Sequence, residues 1–161
     1  MEARQIALKL FLDALGVPAT IETVNDRKRV QKAVYLGQLS GVDLAYRFGW
    51  YLKGPYSPFL TRDYFNLEES LALGDRDWQD RELENSVARR LKKIVPLMKP
   101  APDVSLSQAD WLELISSLHF LREVRGLDSK KSLAVIKNEK PRLSKFYNKA
   151  EKALREVSLI S

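Results

Sequence analysis

The segment Lys53–Pro58 constrains the fold of this chain more than any other. Its sequence, KGPYSP, contains one glycine and two prolines, and proline has no backbone N–H to donate. Because neither a helix nor a sheet ladder continues through such a segment, we expect an ordered turn. Ser57 followed by Pro58 has the pattern of an N-cap and the first residue of a helix. A new helix is therefore predicted to begin here.

An aromatic stretch precedes this turn. Residues 46–52, YRFGWYL, alternate imperfectly and are rich in aromatic side chains, which favours a short strand. Alternation puts Tyr46, Phe48 and Trp50 on one face of that strand. We assign Phe48 and Trp50 to the core. Tyr51 lies on the other face and is a candidate for an exposed contact.

Apolar side chains recur at helical spacing through most of the remaining chain. Asn25 or Asp26 is expected to cap the second helix, and Ser105 or Ser107 to begin the fifth. The predicted helices cover residues 2–15, 26–39, 58–74, 83–98, 107–126, 129–138 and 141–157. We therefore expect a mainly α fold of about seven helices with a small strand or hairpin element.

The length of 161 residues predicts one helical domain, residues 1–161. The segment Lys99–Pro102, KPAP, should stop a helix and is the best candidate for a hinge. Such a hinge would separate residues 1–98, which contain the aromatic stretch, from the C-terminal helices of residues 103–161.

Composition excludes most kinds of catalytic centre. The chain has no cysteine, which excludes thiol catalysis, iron–sulfur clusters and cysteine-type zinc sites. His119 is the only histidine, and on an apolar helix we expect it to be packed rather than catalytic. Neither a Walker loop nor a Gly-rich dinucleotide motif is present, and no pair of acids has a spacing tied to a reaction. We therefore expect no enzyme activity, no cofactor and no metal.

Three further features predict a cytoplasmic protein that does not enter a membrane. The lack of cysteine fits a reducing compartment. No apolar run approaches the roughly 20 residues that a membrane span needs. The first residues, MEARQIALKLFLDALG, mix acids with bases and lack the apolar centre of a signal peptide.

Charge is unevenly distributed along the chain, although the formal net charge is only +6. Residues 26–62 carry seven basic and two acidic side chains, and residues 63–85 carry two basic and eight acidic ones. Such blocks suit a partner with a charge pattern of its own, or DNA that touches one face. Solvated helix faces of alternating sign explain them equally well.

The densest basic cluster lies at a predicted helix start and consists of Arg27, Lys28, Arg29 and Lys32. Because a helix N-terminus is already positive, cations there are unfavourable unless they bind phosphate or an acidic partner. Simple exposure, with Asp26 offsetting part of the charge, is the alternative. The candidate partner- or nucleic-acid-binding residues are Arg27, Lys28, Arg29, Lys32, Tyr51, Lys53, Tyr56 and Arg62.

Residues 26–67 contain a recognisable order of residue types. Gln31-Lys32 and Tyr35-Leu36 are followed by Gly41 and by the string WYLKGPYSP at residues 50–58. This order resembles the YwgA-like group of small bacterial and archaeal proteins, and more distantly the Panacea (SocA-like) antitoxin domain. The resemblance implies a mostly helical fold without catalytic residues. For the Panacea branch it implies a role in toxin–antitoxin or phage-defence systems, through binding of a partner protein.

Two functions follow as expectations. The first is a non-enzymatic protein-binding regulatory or accessory module of such a system, with a toxin or defence component as partner. The second is a nucleic-acid-binding regulator, because a helix–turn–strand–turn–helix unit has the gross arrangement of a winged-helix domain. Assembly with a second copy of the chain is also open.

Overall fold

The computed structural model describes residues 1–161 as eight α-helices and one antiparallel β-hairpin. The expected mainly α fold with a small hairpin is confirmed. None of the helices combines the length and apolar character that crossing a membrane requires. In chain order the elements are α1 (Ala3–Leu15), α2 (Val24–Leu39), β1 (Gly49–Tyr51), β2 (Gly54–Tyr56), α3 (Pro58–Ala72), α4 (Asn85–Lys92), α5 (Gln108–His119), α6 (Ser129–Glu139), α7 (Pro141–Ser144) and α8 (Tyr147–Glu156).

Thr23, rather than Asn25 or Asp26, caps helix α2. The Thr23 hydroxyl accepts the hydrogen bond of the Asp26 backbone N–H at 3.0 Å, and the Asp26 carboxylate accepts that of Thr23 at 3.1 Å. This reciprocal pair satisfies two of the N–H groups that a helix start leaves free. The expected cap was therefore wrong by two or three residues, and Asp26 occupies the third helical position instead.

Strand β1 is shorter than the sequence pattern predicts. Only Gly49–Tyr51 pairs with β2, in the register Gly49 to Tyr56 and Tyr51 to Gly54. The backbone of Tyr46 is engaged elsewhere, because the Gln38 side chain bonds both its N–H and its carbonyl at 3.1 Å. The turn expected at residues 53–58 is in part the second strand. Ser57 and Pro58 begin α3 as the N-cap and first residue, as predicted.

Two of the predicted helices are each divided. The helix expected over residues 83–98 ends at Lys92 and is followed by a 3₁₀ turn over Val95–Met98. Pro96 explains this break, because its ring would clash with the carbonyl four residues earlier, that of Lys92. The helix expected from Pro141 is split into α7 and α8 at residues 145–146. No proline or glycine marks that second break.

Helices α2 and α5 pack against each other at the centre, and one continuous core contains residues from both sides of Lys99–Pro102. Two hydrogen bonds cross that segment. The Trp111 indole N–H donates to the Leu97 carbonyl at 2.9 Å, and the Gln108 amide donates to the Met98 carbonyl at 2.7 Å. The hinge at residues 99–102 stays a prediction.

Gly54 brings the hairpin into direct contact with α5. Its φ of +96° lies in the left-handed region that side chains disfavour, and a Cβ at this position would lie 2.3 Å from Ser117 Oγ. The hairpin backbone therefore rests on α5 at a point where no side chain fits. This contact fixes the distance between the hairpin and the central helix pair.

We expect Gly54→Ala to lower the free energy of unfolding by roughly 2–4 kcal/mol, because backbone strain adds to a steric clash. Urea denaturation measures the change. Gly49→Ala is the matched control, since no atom lies within 4 Å of its Cβ position. Adding Ser117→Ala to Gly54→Ala should restore part of the lost stability. Equal stability of the single and double variants would show that the hairpin does not rest on Ser117.

Candidate functional site

Gln31 on α2 holds the turn that begins α3. Its side-chain oxygen accepts from the Ser57 N–H at 2.9 Å, and its amide donates to the Ser57 carbonyl at 2.9 Å and to the Thr61 hydroxyl at 3.0 Å. Gln31 and Ser57 are both buried. The Ser57 N–H, which precedes α3, thereby gains an acceptor, and the Ser57 carbonyl gains a donor besides the Thr61 N–H. These bonds fix the orientation of α3 against α2.

Lys32, the next residue of α2, lies beneath the hairpin. Its ammonium donates to the Pro55 carbonyl at 2.5 Å, and only 1% of the residue is exposed. Burial lowers the pKa of Lys32 from 10.5 to about 7, against the raising effect of nearby Glu113. The unfolded chain therefore binds one proton more than the native state between about pH 7 and 10.5. Lys32 destabilises the fold at pH 7, and this cost falls as the pH rises through that window.

Lys28 and Lys140 meet at Glu113 in the middle of α5. Lys28 Nζ lies 2.9 Å from one carboxylate oxygen, and Lys140 Nζ lies 2.7 Å from the other. Lys28 also pairs with Asp110 at 2.8 Å, and the second Asp110 oxygen accepts from Arg142 at 2.8 Å. We call Lys28, Lys140, Asp110 and Glu113 the lysine–carboxylate cluster. It joins α2, α5 and the start of α7.

The pairing inside this cluster outweighs the cost of burial. Burial alone would raise the pKa of Glu113, but hydrogen bonds from Lys140 and Lys28 hold it below its usual value. Burial likewise opposes the charge on Lys28, and hydrogen bonds to Asp110 and Glu113 raise its pKa in spite of that. The guanidinium of Arg142, together with Lys28, holds the pKa of Asp110 well below its usual range. Lys28, Asp110 and Glu113 are therefore ionised at neutral pH.

An open pocket of about 270 Å³ lies between α2, α3 and the hairpin tip. Four basic side chains line it and no acidic one does: they are Arg27, Lys28, Lys32 and Lys53. Aromatic rings form much of the remaining wall, contributed by Tyr51, Tyr56, Tyr64 and Phe65. Such a lining suits an anionic group that is attached to an apolar one.

The hairpin tip forms an apolar rim on this pocket. Tyr51 is 59% exposed and Leu52 is 78% exposed, and Val24 and Phe65 on the facing helices are exposed as well. The Tyr51 and Tyr56 rings lie 5.4 Å apart between centroids. The Lys140 ammonium donates to the Leu52 carbonyl at 3.2 Å, which connects the tip to the lysine–carboxylate cluster.

Six of the eight candidate residues line this pocket: Arg27, Lys28, Lys32, Tyr51, Lys53 and Tyr56. The structure does not bring Arg29 and Arg62 into it. The Arg29 guanidinium bonds to the Thr20 hydroxyl at 3.2 Å and to Asp26 at 3.3 Å. Arg62 stacks on the Phe59 ring at 5.1 Å.

Two lysines of the basic helix start lie inside the protein. Lys28 and Lys32 are buried, because this side of α2 faces the acidic residues of α5 and the hairpin backbone. Arg27 is half-buried and donates to the carbonyls of Ile21 and Glu22 at 2.9 Å and 3.3 Å. Simple exposure, the alternative explanation of this cluster, therefore does not hold for Lys28 and Lys32. The binding roles of these residues stay predictions.

The acidic half of the cluster is absent from the sequence-based candidates. Asp110 and Glu113 follow Lys28 by more than 80 residues, and Lys140 comes later still. Their only local signal is that two acids three residues apart share a face of an otherwise apolar helix, a spacing at which side chains are neighbours. That pattern does not indicate which cations they meet.

Three aromatic or histidine assignments have mixed outcomes. Phe48 and Trp50 pack on the rim of the core and remain half-buried, so their assignment to the core is right only in part. His119 is packed, as expected, with Nδ1 2.7 Å from the Tyr35 hydroxyl. Burial lowers the pKa of His119 to about 4, so the ring is neutral at pH 7. No group of three or more His, Cys, Asp or Glu side chains is arranged to hold a metal ion.

Comparison with protein-family models, with curated proteins and with solved structures finds no match. The resemblance to the YwgA-like group and to the Panacea domain stays a prediction.

We expect Glu113→Gln to lower the free energy of unfolding at pH 7 by about 3–5 kcal/mol, because two buried ammonium groups lose their shared counter-charge. Urea denaturation measures the loss. Asp103→Asn is the control, since it breaks the exposed pair with Lys149 and should leave stability almost unchanged. Equal stability of the two variants would contradict a structural role for the cluster.

Proposed function

We propose that this chain is a non-enzymatic, cytoplasmic binding module that holds a partner protein at the hairpin. One observation carries the proposal: exposed Tyr51 and Leu52 border a pocket whose charged lining residues are all basic. The partner segment that fits this surface carries an apolar side chain next to an acidic group. The partner class suggested by the sequence resemblance is a toxin or another component of a toxin–antitoxin or phage-defence system.

The rigidity of the hairpin supports binding to a protein. Bonds from Lys32 to Pro55 and from Lys140 to Leu52 attach the hairpin to the helices on two sides. Exposed aromatic and aliphatic side chains on such a support lose little conformational entropy on binding. Anchors of this kind, at the edge of a preformed pocket, supply most of the affinity in many protein interfaces.

The hydrogen bonds made by the basic side chains at the start of α2 favour a protein partner over nucleic acid. Phosphate binding calls for basic side chains that reach outwards along a groove or helix face. The cations of the α2 start instead bond to the protein itself: Lys28 to Asp110 and Glu113, Lys32 to Pro55, and Arg27 to Ile21. A nucleic-acid-binding regulator, including the winged-helix arrangement, remains the outcome to be tested against.

The test is co-purification with the product of a neighbouring gene, followed by measurement of the dissociation constant of that complex. We expect Tyr51→Ser and Leu52→Ser each to weaken binding roughly tenfold or more, because each removes an exposed apolar anchor. Leu73→Ser is the matched control, since Leu73 is 83% exposed at the far end of α3.

If all three substitutions weaken binding equally, or if none of them weakens it, the proposal is contradicted.

Duplex DNA is added in a parallel titration at increasing salt. Tight binding that falls steeply with salt would favour the nucleic-acid-binding regulator instead.

A further inference from the structure

The charges around the pocket do not balance. Three lysines are buried there, Lys28, Lys32 and Lys140, and the buried carboxylate that faces them is Glu113 alone. Asp110 is half-buried and divides its two oxygens between Lys28 and the exposed Arg142. Buried ions normally have partners of opposite charge. Three buried lysines therefore face two carboxylates, and one of these is shared with Arg142, so the arrangement has fewer negative than positive charges.

Lys32 is the lysine of this group that bonds to no carboxylate. Lys28 and Lys140 each bond to Glu113, whereas Lys32 has a single acceptor, the neutral Pro55 carbonyl. An ammonium group has three N–H donors, and the Pro55 carbonyl is the one protein group that accepts from Lys32. Burying an N–H group without enough acceptors costs free energy. A ligand that supplies acceptor oxygens to Lys32 is therefore favoured.

The open pocket gives a ligand access to this region. Lys32 is part of its wall, together with the Tyr56 hydroxyl, which accepts from Thr61 at 2.8 Å and keeps its own O–H free to donate. Lys53 at the hairpin tip adds a further positive charge. Just outside lie the apolar side chains of Leu52 and Phe65. A ligand with its anionic group in the pocket could therefore place an attached apolar group against the rim.

We propose that this pocket binds the C-terminal carboxylate of the partner protein, with Lys32 as its counter-ion and the partner's apolar last side chain against Leu52 and Phe65. The inference rests on the proposed function and specifies what the pocket recognises. An apolar terminal residue carries a carboxylate and an apolar side chain together, and the pocket combines basic lining residues with an apolar rim. An internal acidic residue has no apolar side chain of its own and depends on a neighbouring residue for one.

The protonation of Lys32 supports this assignment. The groups around it are Lys28 on its own helix, Lys53 on the hairpin, Glu113 on α5 and Lys140 before α7; among these only Glu113 favours its charge. With its pKa lowered to about 7 by burial, Lys32 is partly neutral in the free protein at pH 7. A bound carboxylate favours the charged form, so binding takes up a proton.

Calorimetric titration of the whole protein with N-acetylleucine and with its neutral amide, N-acetylleucinamide, tests the inference without the partner. We expect the acid to bind with a dissociation constant on the order of millimolar and roughly tenfold or more tighter than the amide at pH 7. Proton uptake is read from buffers of different ionisation enthalpy. Binding of the acid should weaken as the pH rises from 7 to 9, because Lys32 is then neutral.

Lys32→Met should remove the preference for the acid over the amide. If that variant does not fold, the comparison of acid with amide on the unaltered protein still tests the inference. Equal binding of acid and amide, or no binding of either, would overturn the inference. Inorganic phosphate that binds as tightly as N-acetylleucine would overturn the assignment to an apolar carboxylate.

The two proposals fail in distinguishable ways. If the partner binds through Leu52 but tolerates amidation of its C-terminus, the inference fails and the proposed function stands. If N-acetylleucine binds but Tyr51→Ser and Leu52→Ser leave the complex intact, the proposed function fails while the carboxylate pocket stands.

Discussion

The shared contact of Lys28 and Lys140 with Glu113 is the constraint on which the candidate site depends. It joins two helices that pack at the centre to the segment before α7, and it does so with charges that are expensive to bury. Such a cluster is stable only when every member is in place. The cluster therefore fixes one arrangement of α2, α5 and α7, and the hairpin is attached to that arrangement. Lys32 lies beside the cluster without joining it, and this position gives the pocket its unbalanced charge.

The hairpin itself has little internal stability, with three residues in each strand. Its position comes from outside contacts: Gln31 holds the turn that follows it, Lys32 holds the Pro55 carbonyl, and Gly54 rests on Ser117. Because these contacts point inward, Tyr51 and Leu52 are left facing solvent beside the pocket. Gln31, Lys32 and Gly54 thus attach the hairpin, and Tyr51 and Leu52 at its tip are available to a partner.

The helical pattern and the turn chemistry allowed the sequence to predict most of the fold. Periodicity located the helices, and Ser57-Pro58 located the start of α3, because these signals are local. The sequence also indicated six of the residues that line the pocket, since cations and aromatic side chains cluster in one stretch of the chain. It did not reveal that Lys28 and Lys32 are buried. That depends on Asp110, Glu113 and the Pro55 carbonyl, which lie far along the chain or in the backbone, where no residue pattern reports them.

The pocket owes its proposed role to Lys32, a buried amine without a counter-ion that lies next to lysines that have one. The most direct test of this imbalance is an NMR pH titration of the protein with ¹³C-labelled lysine side chains, compared with Lys32→Met. We predict one lysine that titrates near pH 7 and whose signal is absent from the variant. If every lysine of the folded protein titrates near the ordinary value of about 10.4, the charge imbalance does not exist and the role of Lys32 is wrong.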